Sequence, residues 1–132
     1  MQMQWTSWAT IAALAVYFWT FMNAGKARMQ HKVLAPSMDG PPEFLRALRV
    51  QTNTLEQIIF FLPFLWLAAI WFSDRAAGIA GAVWVVGRFM YALAYYQDAA
   101  KRAPGFMIAT LASLALLLMA MFGLLQPLFS TH

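Results

Sequence analysis

Two long segments of this 132-residue chain carry no charged side chain, and they constrain its fold more than any other feature. The first segment covers residues 1–25, and the second follows Pro104 for 24 residues. A helix that crosses the hydrocarbon core of a membrane needs about 20 mostly apolar residues. Each segment is therefore long enough to form a membrane-spanning helix.

The composition of the whole chain agrees with this interpretation. Hydrophobic residues make up 62% of the chain and charged residues 11%, whereas an average soluble domain has about 25% charged residues. A soluble chain of this size leaves much of its surface exposed and cannot bury so much apolar area. These values argue against a soluble enzyme or a disordered chain and predict an all-α integral membrane protein.

Metal ions and nucleic acids are poorly supported as partners. The chain has no cysteine, which also removes disulfides and thiol nucleophiles, and its two histidines are His31 and His132. Neither histidine has a second ligand at metal-binding spacing. The net charge of +4 does not come with a basic strip on a soluble face. We expect no metal cofactor and no nucleic-acid partner.

Four membrane spans account for nearly the whole chain as a single domain, at about residues 5–25, 44–72, 76–96 and 104–128. No basic residue precedes Lys26, whereas a signal peptide begins with a basic region, so we expect the first span to be retained. Ser73 is a favourable N-cap for the third span, and Pro104 is a favourable first-turn residue for the fourth. The sequence predicts a four-helix bundle.

The basic residues predict the orientation of this bundle. Eight of the nine lie on or toward the side of the first and third loops, and only Arg75 lies on the other side. Positively charged loops stay in the cytoplasm, so both termini are expected outside a bacterial inner membrane, or in the lumen of an endomembrane. Residues 26–42, which contain Pro36, Gly40 and two further prolines, are expected to form turns instead of helix.

Polar residues inside the second span are candidates for a functional site, because a charge at the centre of a span costs about 2.5–3.5 kcal/mol. Arg49, Asn53 and Glu56 have i, i+4, i+7 spacing, which places them on one helical face. Gln51 flanks them. A polar helix end near the headgroups would explain Arg49 alone, but Glu56 lies eleven residues after Leu45 and requires a partner inside the bundle.

The third span carries a second polar stripe. Arg88, Tyr91 and Tyr95 have i, i+3, i+7 spacing, and Arg88 lies at about the depth of Glu56. One interpretation is an Arg88–Glu56 ion pair that only joins the helices. The other is a water-filled, positively charged pocket open to the cytoplasmic face, with Arg28, Lys101 and Arg102 at its mouth. Such a pocket suits a small anion with several carboxylates, while an apolar second substrate would be dissolved in the surrounding lipid.

At these positions the sequence resembles the family of membrane-associated proteins in eicosanoid and glutathione metabolism (MAPEG), in particular its microsomal glutathione transferases and its leukotriene C synthase branch. The resemblance extends over essentially the entire chain. It is carried by the runs Gly40-Pro41-Pro42-Glu43-Phe44, Arg49-x-Gln51-x-Asn53-x-x-Glu56, Arg88-Phe89-Met90-Tyr91 with Tyr95, and Arg102-Ala103-Pro104.

The resemblance implies a homotrimer of four-helix subunits that binds glutathione between neighbouring subunits near the cytoplasmic side. It implies that Arg102 lowers the pKa of the glutathione thiol and stabilises the thiolate. As an alternative to Arg102, Tyr91 or Tyr95 would donate a hydrogen bond to the sulfur. The residues implied to bind glutathione are Arg28, Arg49, Gln51, Asn53, Glu56, Arg88, Tyr91 and Tyr95. Two departures concern the leukotriene branch: Met29 stands where that branch has an arginine, and Gln57 replaces an aromatic residue.

The resulting prediction is a membrane-bound glutathione transferase that conjugates lipophilic electrophiles, with peroxide reduction as a possible second activity. The alternative within the same family is a non-enzymatic lipid-binding scaffold, which would not bind glutathione. A small proton-coupled multidrug transporter has a similar length, but it depends on a carboxylate in the first helix, and residues 1–25 contain none.

Overall fold

The computed structural model describes residues 2–129 and shows them to be helical apart from short connections. Four long helices follow one another: α1 (Gln4–His31), α2 (Pro42–Trp71), α3 (Asp74–Gln97) and α4 (Ala103–Phe129), with a 3-10 helix at Ala99–Lys101 before α4. The predicted all-α, four-helix architecture is confirmed.

Three of these helices have the length and hydropathy of membrane spans: α2, α3 and α4 as far as Leu128. At about 1.5 Å per residue, α2 is about 45 Å long and exceeds the hydrocarbon core of about 30 Å. Helix α1 has 28 residues, but its threonine, tyrosine and tryptophan content keeps it below the hydropathy of the other three. A membrane crossing by α1 remains a prediction.

The helix boundaries support two of the sequence interpretations and correct a third. Ser73 caps α3, its hydroxyl accepting a hydrogen bond from the Ala76 N–H at 3.1 Å, and Pro104 lies in the first turn of α4. The expectation that residues 26–42 form turns throughout is wrong, because α1 continues through His31. Lysine, arginine and glutamine favour helix. Helix α1 ends at His31, and the next residue, Lys32, is its C-cap and has left-handed backbone angles.

The core combines small side chains with one large aromatic pair. Alanines at the helix contacts are buried, and the fully buried rings of Phe61 in α2 and Trp84 in α3 stack with centroids 4.0 Å apart. Dispersion contacts of this kind hold helices together in a membrane, where the surrounding lipid is as apolar as the core. The pair joins the middle of α2 to the middle of α3.

Glycines allow α3 and α4 to approach until their backbones touch. A Cβ atom on Gly105 of α4 would lie 2.7 Å from the Gly87 carbonyl oxygen and 2.7 Å from the Tyr91 Cα atom of α3. A Cβ on Gly87 would lie 2.8 Å from the Ala109 nitrogen. Small residues of this kind are typical of tight helix contacts in membranes. This contact places Tyr91 directly against the first turns of α4.

The two ends of the bundle differ in charge. At one end Asp74 accepts hydrogen bonds from the backbone N–H groups of Trp5 at 3.2 Å and Thr6 at 2.9 Å, and Arg75 lies over the Trp5 ring. At the other end the C-termini of α1 and α3 meet the N-termini of α2 and α4. Most of the basic residues lie at that second end: Lys26, Arg28, Lys32, Arg46, Arg49, Lys101 and Arg102.

Candidate functional site

A cavity of about 520 Å³ lies where α2, α3, the 3-10 helix and the start of α4 meet. One part of its wall is polar and aromatic, and the part contributed by α4 is mostly apolar. The residues that line it are Asn53, Tyr91, Ala100, Arg102, Ala103, Phe106 and Met107. The cavity therefore joins predicted site residues from two helices with apolar side chains of a third.

The predicted polar stripe of α3 forms one side of this region. The guanidinium carbon of Arg88 lies 4.0 Å from the centroid of the Tyr91 ring, which is within cation–π distance. The rings of Tyr91 and Tyr95 follow, with centroids 5.5 Å apart. Tyr91 is buried except where it lines the cavity. The spacing correctly predicted that these three side chains lie together.

Arg88 is held by α2, but not through the residue that the sequence suggested. Its Nη2 group donates to Asn53 Oδ1 at 2.9 Å and to Thr54 Oγ1 at 2.8 Å. The suggested Arg88–Glu56 ion pair is therefore wrong for the single chain, because Arg88 faces the turn of α2 that precedes Glu56. Arg88 is fully buried and lies behind the cavity wall.

Arg102 lies at the rim of the cavity, in the connection that leads into α4. Its side chain is exposed, and its Nη1 donates to the Ala99 carbonyl oxygen at 2.7 Å. The guanidinium carbon is 6.0 Å from the centroid of the Tyr95 ring. The 3-10 turn before it is capped by Asp98, which accepts a hydrogen bond from the Ala100 N–H at 3.0 Å. These contacts place a positive charge beside Tyr91 and Tyr95.

Tyr96 of α3 forms hydrogen bonds with both α1 and α2. Its hydroxyl accepts a hydrogen bond from Asn23 Nδ2 of α1 at 3.1 Å, and its carbonyl oxygen accepts one from Arg46 Nε of α2 at 3.1 Å. A backbone carbonyl at the C-terminus of α3 has no intrahelical donor, so an arginine is a favourable partner there. The ends of α1, α2 and α3 are thus fixed around the site.

Two predicted site residues lie away from this cavity in the single chain. Arg28, in the last turn of α1, donates to the Ser37 carbonyl oxygen at 2.7 Å and lies over the Phe44 ring at 5.1 Å. Gln51 donates weakly to the Tyr17 hydroxyl at 3.5 Å, on the side of α2 that faces α1. The structure does not bring Arg28 or Gln51 next to Arg102.

Arg49 and Glu56 are exposed on α2. Within residues 2–129 neither side chain forms a hydrogen bond or an ion pair, although Asn53, on the same face, binds Arg88. Glu56 is about 21 Å from the start of α2 at 1.5 Å per residue, in the apolar part of the helix. The three residues share a face, as predicted, but only Asn53 lines the cavity.

The sequence did not identify several residues of the site. Thr54, which binds Arg88, looks like an ordinary small helix residue, and Phe106 and Met107 are part of a uniformly apolar segment. Only the packing of α4 against α3 reveals that Phe106 and Met107 line the cavity. No sequence signal distinguishes them from the residues that face lipid.

No cluster of three or more histidine, aspartate or glutamate side chains suited to a metal ion occurs in the described part of the chain. Of the two histidines, His31 ends α1, and His132 lies outside residues 2–129. The site is therefore built from arginine, asparagine and tyrosine side chains, which bind anions and hydrogen-bond acceptors.

Comparison with known proteins shows which family this chain matches. The MAPEG family model matches residues 6–122. An uncharacterized protein of Synechocystis sp. is 43% identical over 127 residues, covering 96% of this chain and 93% of that protein.

Other relatives have named activities. Human microsomal glutathione S-transferase 2 is 40% identical over 96 residues, which cover 73% of this chain and 65% of that protein. Guinea pig (Cavia porcellus) leukotriene C4 synthase is 34% identical over 119 residues, which cover 89% of this chain and 79% of that protein. The residues that line the cavity all lie within the segment matched by the family model. The chain belongs to the MAPEG family.

Proposed function

We propose that this chain is a membrane-bound glutathione transferase, which joins the thiolate of glutathione to a lipophilic electrophile. The name of one relative, microsomal glutathione S-transferase 2, supports glutathione as the co-substrate. The observation that carries the proposal is the cavity itself, which combines a cationic, hydrogen-bonding part with an apolar part.

Glutathione has two carboxylates, an amine and a thiol, and the polar wall offers groups that match them. Arg102 at the rim and Arg88 behind the wall supply positive charge, and Asn53 supplies an amide. Arginine binds carboxylates well because its planar group donates several hydrogen bonds. The ligand's carboxylates are therefore held at the cationic wall. Its amine would meet Glu56 only in the proposed trimer, because Glu56 does not line the cavity of a single chain.

The thiol is activated by positive charge. The thiolate is the nucleophile, and a neighbouring arginine lowers the pKa of a thiol. Arg102 fills this role at the rim, and Tyr91, in the same cavity, donates a hydrogen bond to the sulfur. The sulfur attacks an electrophilic carbon and a C–S bond forms. The bond to the leaving group breaks, and the leaving group departs with its electron pair.

The electrophile binds against the apolar wall formed by Phe106 and Met107. Met107 is 53% exposed on the surface of α4, which would let a lipophilic molecule enter the cavity from the surrounding membrane. A lipid hydroperoxide is a second possible acceptor. Two glutathione molecules then reduce one hydroperoxide to an alcohol and water and are oxidised to glutathione disulfide.

The exposed polar residues of α2 favour an assembly of subunits. A charged side chain inside the membrane requires a partner, and Arg49 and Glu56 have none within residues 2–129 of a single chain. In a homotrimer, the neighbouring subunit and the glutathione between subunits would supply those partners, and Arg28 and Gln51 of the neighbour would complete the site. Native mass spectrometry tests this: three chains per particle are expected, and a monomer or dimer would contradict it.

The basic end of the bundle is proposed to face the cytoplasm, with both termini on the opposite side. Positive charges are retained on the cytoplasmic side of membrane proteins, and within residues 2–129 Arg75 is the only lysine or arginine at the other end. The relative from Synechocystis sp. supports a bacterial inner membrane as the location.

The function is tested by replacing Arg102 with alanine and measuring the conjugation of glutathione to an aromatic halide. Lys101→Ala is the matched control, because Lys101 is the adjacent basic residue and does not line the cavity. We expect the Arg102 variant to lose about tenfold to a hundredfold in kcat/KM, as an electrostatic stabiliser of a thiolate should, and the Lys101 variant to lose less than about twofold.

Full activity of the Arg102→Ala variant would refute its role in activating the thiol. Calorimetry with the wild-type protein tests the broader proposal. If no heat of binding is seen at millimolar glutathione, the transferase proposal fails and the non-enzymatic lipid-binding scaffold becomes the better description.

A further inference from the structure

Arg88 does not line the cavity, but it contacts residues that do. Its side chain is 0% exposed, and it is not among the residues that line the cavity. It is instead bonded to Asn53, which does line the cavity, through a 2.9 Å hydrogen bond from Nη2 to Oδ1. Arg88 therefore contacts two cavity-lining residues, Asn53 through this hydrogen bond and Tyr91 through its ring.

The contact with Arg88 decides which end of the Asn53 amide faces the ligand. A guanidinium group only donates hydrogen bonds and cannot accept them. The oxygen of Asn53 must therefore face Arg88, and its NH₂ group is turned the other way. Asn53 presents hydrogen-bond donors to the cavity, whereas an asparagine without such a neighbour can present either end.

Thr54 is the second hydrogen-bond acceptor of Arg88. Its hydroxyl donates to the Val50 carbonyl oxygen at 2.7 Å, so its hydrogen is engaged and its oxygen accepts from Arg88 at 2.8 Å. Thr54 is fully buried. The Nη2 group of Arg88 is thus held by two acceptors on consecutive residues of α2, and it cannot shift without breaking both bonds.

Arg88 also brings a positive charge that the described residues leave uncompensated. No carboxylate in residues 2–129 forms an ion pair with it, and its Nε and Nη1 groups are buried without a hydrogen-bond partner. The Tyr91 ring, at 4.0 Å, is its principal electrostatic neighbour besides Asn53 and Thr54. A buried charge is favourable only when an opposite charge lies nearby, which an anionic ligand group next to Asn53 would supply.

We propose that Arg88 is a positioning residue that holds Asn53 as a hydrogen-bond donor, and that the subsite beside Asn53 takes a carboxylate of the ligand. This inference rests on the proposed function, because glutathione is the ligand that brings the carboxylate. An ammonium or another donor group is excluded from this subsite by the NH₂ of Asn53 and by the charge behind it.

A double-mutant cycle with Arg88→Lys and Asn53→Ala tests the positioning role, using the full chain in detergent. Lysine keeps the positive charge but cannot bridge two acceptors as the planar guanidinium does. We expect each single variant to raise the Kd for glutathione by about tenfold. The double variant is expected to match Asn53→Ala within about twofold, because residues that act through one another are not additive.

The same variants separate positioning from a general loss of structure. The KM for glutathione should rise in parallel with Kd, while kcat at saturating glutathione should change by less than about twofold. Arg75→Lys is the matched control, since it makes the same substitution near the other end of α3 and should leave Kd unchanged. Additive effects of the two substitutions, or an unchanged Kd in both single variants, would overturn the positioning role.

Asn53→Asp tests the carboxylate subsite. Aspartate has the shape of asparagine and still accepts from Arg88, but it presents a carboxylate oxygen to the cavity in place of the NH₂ group. We expect it to bind glutathione more weakly than Asn53→Ala does, since like charges then face each other. Equal or tighter binding than Asn53→Ala would overturn the subsite. If the wild-type protein binds glutathione, such a result leaves the proposed function intact, whereas no binding by the wild type overturns both.

Discussion

Replacing Gly105 with alanine is expected to push α4 away from α3 beside the candidate site. The new Cβ atom would lie 2.7 Å from the Gly87 carbonyl oxygen and 2.7 Å from the Tyr91 Cα atom, whereas non-bonded atoms prefer about 3.5–4.0 Å. Both obstacles are backbone atoms and cannot rotate away. The two helices must therefore separate locally by roughly 1 Å.

The expected change in stability follows from two opposing terms. Overpacking a tight contact costs about 1–3 kcal/mol, and several backbone atoms obstruct this position, so we take the upper part of that range. Alanine is favoured over glycine inside a helix by about 1 kcal/mol. The net loss in the free energy of unfolding is about 1–2 kcal/mol. Because Tyr91 lines the cavity, the KM for glutathione should rise as well.

Gly25→Ala is the control, because it makes the same substitution in α1 where no atom lies within 4 Å of the new Cβ. It should stabilise the protein by about 0.5–1 kcal/mol. Both variants can be compared by reversible unfolding in mixed micelles with a rising fraction of denaturing detergent, followed by circular dichroism. If the two substitutions have the same effect, or if Gly105→Ala stabilises the protein, the glycine contact does not determine the α3–α4 separation.

Two further predictions concern the ends and the core of the bundle. The start of α1 has no side-chain cap of its own and is capped by Asp74, so the Asp74→Ala variant should fray it. Hydrogen exchange should accelerate at the Trp5 and Thr6 amides and not in α4. Unchanged exchange at Trp5 and Thr6 would contradict the capping role. Trp84→Ala should cost about 3–5 kcal/mol in the unfolding assay because it opens a large cavity beside Phe61. Trp84→Phe should cost clearly less, since the ring stack is retained and the buried Trp84 Nε1 has no hydrogen-bond partner; equal losses would argue against the stack.

Helical periodicity was sufficient to predict which side chains of α3 share a face. The i, i+3, i+7 spacing predicted that Arg88, Tyr91 and Tyr95 lie together, and the structure places Arg88 over the Tyr91 ring and Tyr91 beside Tyr95. The geometry of a single helix fixes these distances. No information about neighbouring helices is needed, so this part of the site could be read from the sequence.

Periodicity does not determine how one helix is shifted along its neighbour. Asn53 and Glu56 are three residues apart on α2, so a displacement of only about 4.5 Å along the helix axis decides which of them meets Arg88. The structure selects Asn53 and Thr54. Because buried donors and acceptors are satisfied pairwise, this choice depends on the packing of the whole bundle, which local spacing cannot supply.

The extent of α1 illustrates a different limit. The thickness of the bilayer predicts how many apolar residues a span requires, but it does not predict where the helix ends. The segment from Lys26 to His31 continues α1 because its residues favour helix and nothing interrupts them before Lys32. Prolines and glycines in a predicted loop therefore do not show where the preceding helix ends. The helix propensity of the residues before them has to be considered as well.

The exposure of Met107 at the apolar wall has a consequence for how this protein should be assayed. Met107 is exposed and lines the cavity, so the proposed lipophilic electrophile would enter there from the membrane, whereas glutathione would arrive from the aqueous phase. The effective concentration of the lipophilic ligand is then its mole fraction in the lipid or detergent. Adding empty micelles at constant total ligand dilutes that ligand and leaves the aqueous one unchanged, so rates depend on the amount of detergent as well as on the ligand added.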